Sequence, residues 1–443
     1  MSDVAHALLR LTKEPMNGVV KSCADLLWRG ALGVTVLTGC VIVCHGCYRS
    51  HGISPADGGF DAETGFDAPE PPADLDARDT PNRVDVPDGA VTLPCEAVHT
   101  QPIPSGEPRT PCERPGSSDF DVDGFSNDVD CDDCNPLINR GAYDFPNNGI
   151  DEDCSGVDAS PCDESGLDLA STDPNDALRA MGLCERTASS SRRWGILSSE
   201  YTSADGRGPI PQPIQFGILT GLGESPFPVG GESMLGLSSG IAREPEDRGD
   251  SFCADHQTVG GFPPGFPVDS PACPGVGTGP VHDSVALEVR LVVPTNVHGF
   301  RFASSFFTHE YPDYICSPYN DVFAVLQERS GELVNIVFDA AGNPVTVNNA
   351  LLAACRYGTH GGVYFECPLG YWPLVSTGYD VGCGLGPISR EGSGASTGCI
   401  RTVSSVEPGS TVTLRFTIWD SGDGLLDSLA VVDDFQWIPI DYD

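Results

Sequence analysis

The loop from Asp119 to Asp130 carries the sharpest chemical pattern in the chain. Asp119, Asp121, Asp123, Asn127 and Asp130 stand at positions 1, 3, 5, 9 and 12, with Gly124 at position 6 and Phe125 at position 7. Alternate carboxylates at that spacing can curl around one hard cation, glycine permits the sharp turn, and residue 7 offers a backbone carbonyl. Asp130 closes the loop in place of the longer glutamate that grips bidentately. More carboxylates follow at Asp132, Asp133, Asp151 and Asp153. Between Asp119 and Asp153, eleven acidic residues face one base, Arg140. Oxygen ligands with no His or Met among them suit calcium. The competing reading is an acidic run that is merely solvated.

A second set of carboxylates stands where strands should begin and end. Glu310 and Asp321 flank the polar stretch between Gly299–Phe307 and Asp321–Leu326. Asp420, Asp423 and Asp427 fill the turn between Thr411–Trp419 and Leu429–Trp437. If the two loops meet, three chemistries are open. The carboxylates can hold calcium and pin the loop ends. A pair can act as general acid and base on a glycoside. Or Asp, Gly and Ser simply make the turns. The histidines show no zinc spacing, and no G-x-S-x-G elbow occurs.

A net charge of -39 in 443 residues excludes a nucleic-acid partner, because phosphates would be repelled, and favours cations. Eighteen cysteines spread along the chain fit an exported, disulfide-bonded protein better than a cytosolic one. Fourteen of them, from Cys95 onward, make an even number open to complete pairing. Cys131 and Cys134 form a C-x-x-C without a thioredoxin-like surrounding, so a structural role is expected for them.

The N-terminus carries Lys13, Lys21 and Arg29, then an uncharged run from Ala31 to Cys44 that is 14 residues long. That length fits a signal peptide and falls short of the roughly 20 residues of a membrane span. Leu37-Thr38-Gly39-Cys40 resembles the bacterial lipobox, which implies lipidation of Cys40 and residues 1–40 as the leader. Cys44 is the alternative site, and a plain signal or a short retained anchor are the other readings. Residues 41–116 read as a disordered linker. From Pro55 to Ala90 there are ten acidic residues against Arg78 and Arg83, with too few apolar residues to offset ordering entropy.

Beyond residue 160 the sequence predicts a short capped helix over 173–183. Strand-like runs then recur between Gly/Pro/Ser turns: 194–197, 285–293, 299–307, 321–326, 333–338, 411–419 and 429–437. Short strands with turns between them predict a mainly β fold, a β-sandwich or jelly roll, over 161–443.

Two resemblances join these readings. Asp119-x-Asp-x-Asp-Gly-Phe, Asp130-Cys-Asp-Asp133, Asn139-Arg-Gly-Ala142 and Asn148-Gly-Ile-Asp-Glu-Asp-Cys-Ser-Gly156 together resemble one copy of the MopE-type metal-binding motif, over 117–160. Cys134 departs from the usual cysteine placement of that motif. The ordered blocks Ala180-Met-Gly-Leu-Cys184, Gly230-Gly-Glu-Ser-Met-Leu-Gly-Leu-Ser-Ser-Gly-Ile-Ala242, Phe306-Phe-Thr-His-Glu-Tyr-Pro312, Tyr319-Asn-Asp-Val-Phe323 and Ile418-Trp-Asp-Ser-Gly-Asp-Gly-Leu-Leu-Asp-Ser428 are similar to the choice-of-anchor L domain. That resemblance implies an extracellular domain of unassigned activity. The sequence as a whole predicts an exported, lipid-anchored protein of the outer membrane or cell surface, or a secreted one. It would bind calcium and do structural or adhesive work on a surface or matrix ligand, glycan or protein. The alternative is a secreted glycan hydrolase using Glu310, Asp321, Asp420 and Asp423.

Overall fold

The alternation of apolar and polar residues becomes two antiparallel sheets. The computed structural model describes residues 118–242, 253–339, 341–349, 351–381, 383 and 393–440. All belong to the second of two units, residues 82–443. The leader, Cys40, Cys44 and the linker up to residue 116 lie outside the described residues. No helix among the described residues is long and apolar enough to cross a membrane.

In chain order the elements are α1 (Pro174–Ala180), β1 (Gly195–Thr202), β2 (Phe216–Leu219), β3 (Met234–Ser238), β4 (Val259–Gly260), β5 (Val281–Val292), β6 (Val297–Thr308), β7 (Val322–Arg329), β8 (Glu332–Asn335), β9 (Val345–Thr346), β10 (Gly358–His360), β11 (Val363–Phe365), β12 (Ala395–Ser396), β13 (Ile400–Ser405), β14 (Thr411–Ser421) and β15 (Ser428–Pro439). One sheet runs β1-β5-β14-β7-β8, with β4 on β5 and β9 on β7. The other runs β12-β6-β15-β3-β2, with β13 also on β6. β10 and β11 form a separate hairpin.

The sheets face each other over one core. In β5, Leu287, Val289 and Leu291 are buried while Glu288 and Arg290 between them face outward, the period-two signature of a strand with one face on a core. Phe323 and Val325 of β7 and Leu414, Phe416 and Ile418 of β14 join them. From the other sheet come Phe300, Phe302 and Phe306 of β6, Ala430 and Val432 of β15 and Leu235 and Leu237 of β3. The mainly β sandwich expected from the sequence is therefore the observed class. α1 caps one margin, with Asp173 accepting from the Asn175 amide at its N-terminus and Ala177 and Leu178 buried.

The acidic segment before the sandwich contains turns and bends only. Thus, among the described residues, no EF-hand helix follows the D-x-D-x-D-G loop. The segment is held by the Cys131–Cys154 disulfide and by contacts to the connection between β5 and β6. The Thr295 amide donates to the Gly141 carbonyl at 3.0 Å. Asn296 brackets Tyr143, accepting from its amide at 2.7 Å and donating to its carbonyl at 2.8 Å.

One expectation is corrected here. Asp420 does not lie in the turn after β14. A register shift between Ile418 and Asp420 keeps it and Ser421 inside the strand, opposite His282 and Val281. Such a bulge re-aims the side chains around it.

Candidate functional site

The calcium-type loop forms from its own backbone. Asp119 accepts from the Val122 amide at 2.8 Å and the Gly124 amide at 3.1 Å, and Asp123 accepts from the Phe125 amide at 2.7 Å. Gly124 takes φ +92, where a side chain would be strained, so glycine at position 6 is required. Phe125 turns inward and carries the Arg192 guanidinium over its ring at 4.2 Å.

This folding brings the carboxylates together. One oxygen each from Asp119, Asp121 and Asp133 lie within 4.8 Å of one another, and the same holds for Asp121, Asp123 and Asp130. Asp121 is common to both sets. Twice a calcium–oxygen distance of about 2.4 Å is the same span, so each set matches opposite ligands of one ion. Asp121 Oδ2, Asp130 Oδ2 and Asp133 Oδ2 are buried with no hydrogen-bond partner. Burial, with Asp123 beside it, pushes the Asp121 carboxyl up to about 6, and burial does the same to Asp130. Asp123 is raised too, chiefly by burial. A divalent cation would satisfy the three orphaned oxygens and remove the mutual repulsion, so the residues present fit one.

The ligand set differs in detail from the sequence-based one. Asp133, expected only in support, stands in a first-rank position. Asn127 is exposed, and its amide donates to the Ser118 carbonyl at 2.8 Å. Asp132 belongs to neither set. Asp151 and Asp153 lie with Asp144 in a group of their own. Asp144 has no D-x-D spacing to announce it. Glu152 between them is buried, and burial followed by a hydrogen bond to Asp144 pushes its carboxyl up to about 8.

The second set of carboxylates gathers at one end of the sandwich. Asp321, just before β7, accepts from the Ser421 amide of β14 at 3.1 Å and from Ser428 Oγ of β15 at 2.6 Å, so it ties one sheet to the other. The His309 amide donates to the Asp427 carbonyl at 3.2 Å. The two acidic loops are therefore in contact. Glu310 is 1% exposed, and Asp321, Asp420 and Asp427 are 0% exposed, whereas Asp423 faces solvent. Asp283 of β5, unforeseen from the sequence, adds a fifth buried carboxylate, held by the Thr258 and His256 amides. Both oxygens of Asp420, Asp427 Oδ1 and Glu310 Oε2 have no hydrogen-bond partner.

The charges acting on Glu310 and Asp420 come from neighbouring carboxylates. Burial, then the charges of Asp321, Asp420, Asp423 and Asp427, drives the Glu310 carboxyl well above the carboxylate range. Burial likewise pushes Asp321 up to about 8 and raises Asp420 and Asp427 well above their ordinary value. Burial holds His309 neutral, with its pKa down at about 3. No three of these carboxylates bring oxygens within 4.8 Å of one another, unlike the sets in the acidic segment. In this conformation the cluster is a proton-holding clamp, looser than one ion's shell.

The described cysteines are oxidised. Within the described residues, Cys131–Cys154, Cys162–Cys184, Cys253–Cys383, Cys273–Cys316 and Cys355–Cys367 are bonded. Cys134 and Cys399 are disulfide-bonded as well. The C-x-x-C is not closed on itself, since Cys131 pairs with Cys154. Five disulfides on a β-sandwich belong to an oxidising, extracytoplasmic compartment.

No protein-family model and no curated protein sequence matches the chain. Among solved structures, the chain is similar to the K2 cleaved adhesin domain of Lys-gingipain, at 11% identity over 54% of this chain and 87% of that one, with a TM-score of 0.22. Likeness at that level carries no argument about function.

Proposed function

We propose that this chain is an exported surface protein, lipid-anchored at Cys40, in which calcium closes the acidic segment and the β-sandwich does structural or adhesive work on a glycan or protein ligand. The observation that carries the calcium part is the convergence of Asp119, Asp121, Asp123, Asp130 and Asp133, with three buried oxygens left unpartnered. The disulfides support export. The lipobox-like Leu37–Cys40 and the resemblances to the MopE-type motif and the choice-of-anchor L domain supply the anchor and the surface role.

The test is metal analysis of the purified exported chain, with a melt before and after chelation. Bound calcium and a lower melting temperature in chelator are expected. A chain free of calcium whose melt ignores chelator overturns the reading. Mass spectrometry of the mature N-terminus should find a lipidated Cys40, and an unmodified N-terminus removes the anchor.

The hydrolase alternative rests on Glu310, Asp321, Asp420 and Asp423 at the sandwich end. Glu310, Asp321 and Asp420 are at most 1% exposed, so a glycan reaches only Asp423 unless the loops open. Turnover of a glycan that is lost in a Glu310→Gln variant with an unchanged melt would favour that alternative.

A further inference from the structure

A cavity of about 430 Å³ opens between the acidic segment and the sandwich, within the range of small-ligand sites, roughly 300–1,000 Å³. Four stretches of the chain meet at its wall. Tyr143 and Phe145 come from the acidic segment, Glu164 from the stretch before α1, Gly231 from the loop ahead of β3, and Asp434 and Trp437 from β15.

Each part of the wall is held in place. The Tyr143 ring stands edge-on to Phe145 at 4.8 Å, and both side chains are half-buried. Glu164 Oε2 accepts from the Glu232 amide at 2.9 Å and from Ser233 Oγ at 2.6 Å. Gly231, at φ +73, leaves room for this carboxylate, since a Cβ there would collide with Glu164 Oε1. Asp434 sits in the bulge of β15 between Asp433 and Gln436, at φ +54. A residue other than glycine keeps that conformation only when its surroundings impose it, and a bulge re-aims the side chains around it. Arg401 pairs with Asp434 at 2.8 Å. Trp437 is 3% exposed, and its indole N–H is buried with no hydrogen-bond partner.

These groups ask for opposite things. A buried N–H without an acceptor costs free energy, so the indole of Trp437 calls for an acceptor. Carboxylates only accept, at about four sites each, so Glu164 and Asp434 call for donors. None of the described residues lining the cavity is Lys, Arg or His. An ammonium or guanidinium ligand would satisfy the carboxylates and offer nothing to the indole. A phosphate or carboxylate ligand would satisfy the indole and be repelled by the acids. A hydroxyl accepts and donates at once. Several hydroxyls on a ring with apolar C–H faces also suit Tyr143 and Phe145, whose electron-rich faces attract C–H groups.

We propose that this cavity binds a neutral sugar unit, with one hydroxyl accepting from Trp437 Nε1, others donating to Glu164 and Asp434, and the ring lying against Tyr143 and Phe145. The proposal rests on the adhesive reading above, to which it gives a ligand class and a place. None of the carboxylates of the hydrolase alternative lines the cavity, so the sugar is held here and not cleaved.

The purified exported chain is titrated with the methyl glycosides of glucose, galactose, mannose and N-acetylglucosamine, read by saturation-transfer NMR and calorimetry. It is also applied to an array of neutral glycans ending in the same sugars. At least one methyl glycoside should bind saturably. Trp437→Phe keeps an aromatic ring and removes the N–H, and should weaken that binding about tenfold. Glu164→Ala, altered at a half-buried residue, should weaken it as well and serves where Trp437→Phe does not fold. Butylammonium and inorganic phosphate should not displace the glycoside. The inference is overturned if none of the four glycosides binds, if the variants that fold bind as the wild type does, or if butylammonium displaces the glycoside. Array binding that the variants retain would leave the adhesive reading standing and refute this cavity as its site. Glycoside binding that the variants lose, without any array binding, would uphold the sugar site and remove the adhesive reading.

Discussion

Asn139 Nδ2 donates to Asp123 Oδ2 at 2.7 Å. The same buried side chain accepts from Thr295 Oγ1 at 2.8 Å, so one amide connects a carboxylate of the Asp119–Asp130 loop to the connection between the two sheets. Asn139 also accepts from the Gly141 amide at 2.9 Å and donates to the Pro136 carbonyl at 3.2 Å. It is therefore fully engaged, and none of its partners can be lost silently.

Asn139→Ala should destabilise the folded chain by about 1–3 kcal/mol, because buried partners are left unpaired. It should also weaken calcium binding, since Asp123 loses the donor that orients it. Thermal melts with and without calcium, together with a calorimetric titration, check both effects. A stable variant with unaltered affinity would mean the amide only fills space.

Asp121 belongs to both ligand sets of the loop, so Asp121→Ala should remove most of the calcium-dependent rise in melting temperature. Ligand linkage sets the scale. Millimolar calcium over a site of about 0.1 mM stabilises by about 1.4 kcal/mol. Asp74→Ala, in the linker, should leave the rise intact. Equal calcium response in both variants would refute the assignment.

The sandwich end should make the chain sensitive to pH. An acid whose pKa is higher in the fold than in the open chain holds its proton better when folded. Its stabilisation is present below about 4 and is lost as pH climbs through the folded value. Burial has pushed Asp321 from 3.8 up to about 8, and Glu310, Asp420 and Asp427 shift the same way. In chelator, the melting temperature should therefore fall between about pH 5 and pH 8. Asp321→Asn should fall less steeply over that range. A melting temperature that rises across it would contradict the assignment of protons to this cluster.

Disulfide removal should be graded by the loop each bond closes. Cys253–Cys383 spans 130 residues and Cys355–Cys367 spans 12. Chain-entropy loss predicts about 5 kcal/mol for the first against about 3 kcal/mol for the second. Paired Cys→Ser variants compared by denaturant titration measure the order, and a reversed order would count against it. Thiol counting on the unreduced, denatured chain should find no free sulfhydryl from Cys131 to Cys399.

The long strands were legible from the period-two alternation within β5 and, in the others, from long aromatic and β-branched runs bounded by turns. β5, β6, β7, β14 and β15 all overlap the runs picked from the sequence. β2 and β3 were not, because Phe216–Leu219 and Met234–Ser238 are buried at every position and carry no period-two signal. The calcium-type loop could be read from spacing alone, since its ligands come from one short segment. Asp133 and Asp144 enter their groups through folding of the segment on itself, which spacing does not encode. The meeting of the two acidic loops followed from strand ends, but not their burial. Asp283 sits on β5 at φ +45, in a bulge invisible in the pattern Val281-His-Asp-Ser284.

The Cys131–Cys154 bond gives the acidic segment an unequal share of any mechanical load. A pull that reaches Cys131 crosses the sulfur bridge to Cys154 and bypasses most of the residues between them. The Cys162–Cys184 bond then short-circuits the stretch that contains α1 in the same way. Load that reaches the Cys131–Cys154 bridge therefore spares the turn between its two ends. The second half of the segment is shielded and can keep its seat on the sandwich under load.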